Sequence, residues 1–225
     1  MAETQVSEEE KQRFLNEGFL VIRKLIPEEV IEELRVGYDK ATRGEVDVDA
    51  WRGQVAPGRT LQLGFPSQHI PEWINHPYRN CIVNVGKQLL GDDIEYSFDQ
   101  LIYKPPHDPV ELLWHQDAGY GWPGKANERG GTCWLAFSDV TKEMGTLQFI
   151  PGSHTRGIVK HVDATDRNPI HDALEAEADP GNAVVVEYEV GDATFHHGRT
   201  RTSSTRIPPV LCPKHPSGSR RKVHF

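Results

Sequence analysis

Leu113-Trp114-His115-Gln116-Asp117 sets an imidazole and a carboxylate two residues apart. On an extended chain, side chains two apart point to the same face, so both can reach one ion. A neutral ring nitrogen with an anionic oxygen suits a borderline divalent metal such as Fe(II). A second histidine would complete a two-histidine, one-carboxylate face that leaves positions open for a co-substrate and dioxygen. His-x-Asp alone is a weak signal. Here an apolar run precedes it, a Gly/Trp/Pro turn follows it, and His196 and His197 stand late in the chain.

The elements that must position these residues follow from pattern. Ser7-Glu8-Glu9-Glu10 is a capping box that opens a short helix over Ser7–Asn16, and Gly18 ends it. Phe19–Ile22 predicts a buried strand. Pro27-Glu28-Glu29 opens a second helix with Val30, Leu34 and Tyr38 as its apolar stripe. Thr42–Pro66 reads as a long loop. Pro77–Leu90 is the clearest helix, with Tyr78, Ile82, Val85 and Leu89 on one face and Gly91 as its stop. The period then shifts toward two. Strands are predicted over Ile94–Tyr103, Gly131–Phe137, Thr146–Ile150, Ala183–Glu189 and Asp192–His196, with a polar surface insertion over Asp163–Asn182. Helices first and short strands later predict a β-sandwich or barrel with helices packed outside.

At 225 residues and 37% hydrophobic composition the chain can bury one large core. A net charge of -8 argues against nucleic acid or an anionic membrane as partner. No apolar run has transmembrane length, and Met1–Gln5 lacks a signal peptide's charge and apolar core. Cys81, Cys133 and Cys212 are scattered without a C-x-x-C, which fits reduced thiols and an intracellular, cytoplasmic location.

Five stretches occur in order: Asp99-Gln100-Leu101-Ile102-Tyr103-Lys104-Pro105-Pro106, Trp114–Asp117, Trp134–Phe137, Gly145–His154 and Gly191–His196. Together they resemble the phytanoyl-CoA dioxygenase family of Fe(II)- and 2-oxoglutarate-dependent oxygenases, from about Glu10 to Gly198. The resemblance implies an α+β, mainly β fold: a double-stranded β-helix, or cupin-like jelly roll, with N-terminal helices outside. It implies that His115 and Asp117 bind iron and that Gln100, Gln116 and Trp134 line the iron and 2-oxoglutarate site. It implies hydroxylation of a small molecule with loss of carbon dioxide and formation of succinate. The loops Thr42–Pro66 and Gly119–Gly131 are expected to set the substrate.

The family pattern continues with a later histidine as third ligand and then an arginine for the far carboxylate of 2-oxoglutarate, a pairing that suits a bidentate guanidinium. Five residues beyond His197 stands Thr202, and eleven beyond that stands Pro213. From Arg199 to Phe225 there are seven Lys/Arg residues and no acid. Such a segment supplies strands poorly, which puts the C-terminal strands in doubt. The expected division is a β-helix domain over 1–198 and a basic, disordered tail over 199–225. A change of reading frame near Gly198 would account for the break, and an inactive family member is the competing expectation. His196 and His197 alternate across a strand, so one of them can face the site, and whether either replaces the third ligand stays open; His196 is expected to pack near the site, His197 to end the strand, and His107, His161 and His171 to be solvated.

Overall fold

The computed structural model describes residues 4–46, 60–104, 110–121, 130–166, 168 and 173–205. The N-terminal helices form where their caps lie. Helix α1 (Glu8–Glu17) starts at Ser7, whose hydroxyl accepts from the Glu10 amide at 3.2 Å while the Glu10 carboxylate accepts from the Ser7 amide at 2.8 Å. It ends at Gly18, which takes φ 83° and donates to the Phe14 carbonyl. Strand β1 (Phe19–Ile22) follows, then α2 (Glu28–Thr42), which buries Ile31, Leu34 and Tyr38. After β2 (Leu61–Gly64) and a single-turn helix α3 (Pro66–His69), α4 (Tyr78–Leu90) buries Tyr78, Val85 and Leu89. The remaining strands are β3 (Gln100–Tyr103), β4 (Gly131–Leu135), β5 (Leu147–Phe149), β6 (His161–Asp163), β7 (Leu174–Ala176), β8 (Val184–Val185), β9 (Ala193–His197) and β10 (Thr202–Ser204).

All pairings are antiparallel. Among the described residues the strands join as β1-β9-β4, β10-β5-β8, β2-β3 and β6-β7. The first sheet has two apolar faces, and the alternation of strand residues sorts them. Leu20, Leu135, Ala193 and Phe195 pack with Ile31, Leu34 and Val85 of the helices. Phe19, Trp134 and Ala136 point the other way and pack with Leu147 and Phe149 of the second sheet. Phe19 and Phe149 stack at 4.8 Å between ring centroids, so the two sheets meet through that pair. A loop closes the roll at Gly191, where φ is +85° and an added Cβ would lie 2.1 Å from the Ile26 carbonyl oxygen. Only glycine fits so close an approach.

Three expectations change. The strand expected over Ile94–Tyr103 begins only at Gln100. Its partner β2 pairs from Leu61↔Tyr103 to Gly64↔Gln100, and the chain then turns into α3 at Pro66. The stretch Asp163–Asn182 is more than an insertion: β6 and β7 form a hairpin whose end binds the Trp114 carbonyl through the Ala176 amide at 2.6 Å. Residues 200–205, expected to belong to a tail, are instead part of the fold. Residues 200–205 are buried, and Thr202↔Phe149 through Ser204↔Leu147 add β10 to the second sheet. Polar composition did not prevent this, because the buried hydroxyls find partners. Thr200 Oγ1 donates to the Gly18 carbonyl at 2.7 Å, Ser203 Oγ accepts from Gln148 at 2.8 Å, Ser204 Oγ accepts from the Leu112 amide at 2.8 Å, and Thr205 Oγ1 donates to the Lys142 carbonyl at 2.7 Å. His107, His171, Cys212, Pro213 and most of both candidate substrate loops lie outside the described residues.

Candidate metal centre

The backbone of His115 pairs with that of Thr202 through two bonds of 2.9 Å each, in antiparallel register. Gln116 stays extended at φ -120° and ψ 130°, and Asp117 opens a 3-10 turn. The two-residue spacing therefore works as the sequence implies. His115 and Asp117 share one side, and Gln116 is driven to the other.

On the His115 side the tautomer is fixed. Nδ1 lies 2.7 Å from the Leu113 carbonyl oxygen, which can only accept, so Nδ1 carries the proton. The lone pair of Nε2 in the neutral ring then faces Asp117 Oδ1 at 3.3 Å. A lone pair against an anionic oxygen is repulsive unless a cation lies between them or the ring is charged. The second carboxylate oxygen is already used. Asp117 Oδ2 accepts from Thr132 Oγ1 and from His196 Nε2, the latter at 3.0 Å. Oδ1 and the His115 lone pair thus form an oriented N/O donor pair whose geometry is set by groups behind it, the usual support of a metal ligand.

His196, rather than His197, faces this centre. On β9, Ala193 and Phe195 point to the helices, so Thr194 and His196 point into the roll. Thr194 meets the Tyr188 hydroxyl there at 2.7 Å. His196 lies against Oδ2 and His115 against Oδ1, so the three do not converge on one point. Among the described residues no group of three His, Cys, Asp or Glu side chains is arranged to hold a metal. The place beside His115 is taken by Thr202, whose Oγ1 donates to the Gln148 carbonyl at 3.1 Å.

A cavity of about 290 Å³ adjoins the centre and is lined by His115, Asp117, His196, Thr132 and Thr202. Gln100 and Trp134 also line it. Gln116 does not. Its side chain is fully buried on the opposite side and donates to the carbonyls of Gly157 at 2.8 Å and Arg199 at 2.6 Å, while its Oε1 accepts from the Val159 amide at 2.8 Å. The reason is the same alternation that unites His115 with Asp117. His161 is also not a solvated residue. Its Nε2 accepts from the Gln116 amide at 3.0 Å, and burial holds its pKa below the ordinary value. Thr132 escaped the sequence reading, although it stands two residues before Trp134 on β4 and therefore shares its face.

Two rolled antiparallel sheets with helices against one outer face define the double-stranded β-helix class, and solved structures share it. EvdO2 of Micromonospora carbonacea var. aurantiaca, complexed with 2-oxoglutarate, matches at TM-score 0.74 and 23% identity over 92% of this chain and 86% of that one. The non-heme alpha ketoglutarate dependent carbocyclase SnoK from nogalamycin biosynthesis matches at 0.73 and 22% over 100% and 85%. The phytanoyl-CoA dioxygenase (PhyH) family model matches residues 14–206, and the chain belongs to that family. Curated relatives include ectoine dioxygenase of Bordetella bronchiseptica, 22% identical over 76% of this chain and 57% of its own length. Human peroxisomal phytanoyl-CoA dioxygenase is 25% identical over 84% and 60%. The chain thus spans under two thirds of the curated relatives it matches. Among the described residues no helix is long and apolar enough to cross a membrane.

Proposed function

We propose that this chain is an Fe(II)- and 2-oxoglutarate-dependent oxygenase acting on a small molecule, with His115 Nε2 and Asp117 Oδ1 as its protein metal ligands. The observation that carries the reading is the fixed tautomer of His115. A protonated Nδ1 held by Leu113 aims a lone pair at a carboxylate oxygen, an arrangement that a divalent cation relieves. When bound, iron with 2-oxoglutarate supplies the oxidising chemistry for a C–H bond. The chain's own part is positioning. Thr132 and His196 hold Oδ2, so that Oδ1 is the carboxylate oxygen that would be left to hold a metal. Gln100 and Trp134 shape the cavity for co-substrate and substrate.

A second reading rests on Thr202. A hydroxyl already donating to a backbone carbonyl replaces an imidazole poorly, so the pair holds metal more weakly than a full triad and the chain then binds ligand without turning it over. Anaerobic calorimetry with Fe(II), followed by succinate assay under dioxygen, separates the two. Metal binding lost in His115→Ala, with succinate formed by the parent chain, supports the oxygenase. Metal binding without succinate supports the inactive reading. No metal binding at all rejects both.

A further inference from the structure

A second cavity, of about 270 Å³, lies where the end of β5 meets the chain entering β10. Ser153, Arg156, Asp179, Asn182 and Arg201 line it, and none of them borders the cavity at the metal centre. Arg201 precedes Thr202, and the alternation of an extended chain turns it from the face that Thr202 presents to the metal centre. Its backbone is pinned on both sides. The Ile150 amide donates to its carbonyl at 3.0 Å, and its own amide donates to Ser153 Oγ at 2.9 Å. Arg201 is 9% exposed, yet its guanidinium makes no ion pair and no hydrogen bond among the described residues. Nε is buried without a partner. The two Nη atoms also lack a partner but are not buried, so the fork keeps access to the cavity that the residue lines. Ser153 is buried, its Oγ accepts from Arg201, and its hydroxyl hydrogen meets no acceptor among the described residues. Arg156 is exposed and likewise makes no ion pair among them. Asp179, the acid of this set, has Oδ1 occupied by the Gly181 amide at 3.1 Å. A cation held out of water without a counter-charge is costly, and its natural completion is an anion.

We propose that Arg201, Arg156 and Ser153 form a binding site for a compact oxyanion, the phosphate or carboxylate group of a small metabolite, separate from the metal centre. The two Nη atoms of Arg201 donate end-on to two oxygens of one anion, the fork geometry that a guanidinium shares with both groups. The Ser153 hydroxyl donates to one of those oxygens, and Arg156 adds charge from the rim. Two guanidinium charges less the Asp179 carboxylate leave one positive charge, which a singly charged group neutralises. The inference does not rest on the oxygenase reading, since the two sites share no residue.

The test is ligand-observed NMR on the metal-free full chain at constant ionic strength, with inorganic phosphate in one arm and acetate in the other. At least one anion is expected to bind saturably. Its affinity should fall about tenfold in Arg201→Gln, the loss of a charge-assisted pair of bonds, and about threefold in Arg156→Gln. Asp179→Asn should instead tighten binding, because it removes a repelling charge while its side-chain oxygen still accepts from Gly181. Tighter phosphate assigns the site to phosphoryl groups, and tighter acetate assigns it to carboxylates. Melting curves identify folded variants. Should Arg201→Gln unfold, Arg156→Gln and Asp179→Asn, both at exposed positions, decide the matter by their opposite signs. Three results overturn the proposal: neither anion saturates; affinity is unchanged in the folded arginine variants; or Asp179→Asn weakens binding as they do. Because metal is absent, failure of His115 and Asp117 to hold iron leaves the outcome untouched, and failure here leaves the metal calorimetry untouched.

Discussion

Replacing Thr202 by histidine tests whether the metal centre is one side chain short. Residues 115 and 202 exchange two backbone bonds of 2.9 Å, the arrangement of a hydrogen-bonded antiparallel pair. Such pairs stand about 5.5 Å apart at Cα and send their side chains to one face. Thr202 lines the cavity with His115 and Asp117, so an imidazole there has both the direction and the room. The loss is one hydrogen bond, Thr202 Oγ1 to the Gln148 carbonyl at 3.1 Å, worth about 1 kcal/mol net. That corresponds to a metal-free melting temperature lower by about 2–4 °C for a chain of this size. The gain is a third donor, expected to tighten Fe(II) at least tenfold, or about 1.4 kcal/mol. Anaerobic calorimetry reads the affinity, and thermal melting with and without metal reads the linkage. A folded Thr202→His chain that binds Fe(II) within twofold of the parent refutes the assignment of position 202 to the metal.

Other outcomes follow from the same contacts. Asp117→Ala should abolish metal binding and also destabilise the metal-free chain by about 1–3 kcal/mol, because Thr132 Oγ1 and His196 Nε2 lose their acceptor; an unchanged urea midpoint would contradict it. Burial raises the pKa of Asp99 above its ordinary 3.8, so the folded chain holds that proton more tightly than the unfolded chain. Stability therefore falls as pH rises from the ordinary carboxyl value through the raised one, and the penalty persists at neutral pH. Asp99→Asn should be more stable than the parent near pH 7, with an advantage that shrinks toward acid; a constant offset in denaturant melts from pH 4 to 7 counts against this. Gly191→Ala forces a side chain into positive φ and against the Ile26 carbonyl, and should cost at least about 2 kcal/mol by chemical denaturation.

What the sequence disclosed depended on how local its cause was. The capping box at Ser7, the stop at Gly18 and the face of α4 were legible because each is set within one or two turns of chain. The union of His115 with Asp117 needed only the period of an extended strand, and the same rule would have reached Thr132 from Trp134. The choice between His196 and His197 was not local. It depends on which face of β9 meets the helices, and Phe195 settles that only once β1 and β4 flank the strand. Strand β10 was illegible for another reason. Thr202, Ser203 and Ser204 look like linker residues, and their burial relies on acceptors and donors from Gln148, Leu112 and β5, far away in sequence. Arg79 gave no signal, since a charge on a helix face is an ordinary surface feature until a cavity adjoins it.

The buried amide of Gln116 has a mechanical meaning. It fastens the turn at Gly157–Val159 and the crossing at Arg199 to the one residue standing between imidazole and carboxylate. The bite of the donor pair is therefore not a private matter of His115 and Asp117. Lengthening or stiffening the connection that leads from β5 into β6 would be felt as a rotation of both donors at once, so redesign of that peripheral stretch would alter the donor pair's geometry without altering His115 or Asp117.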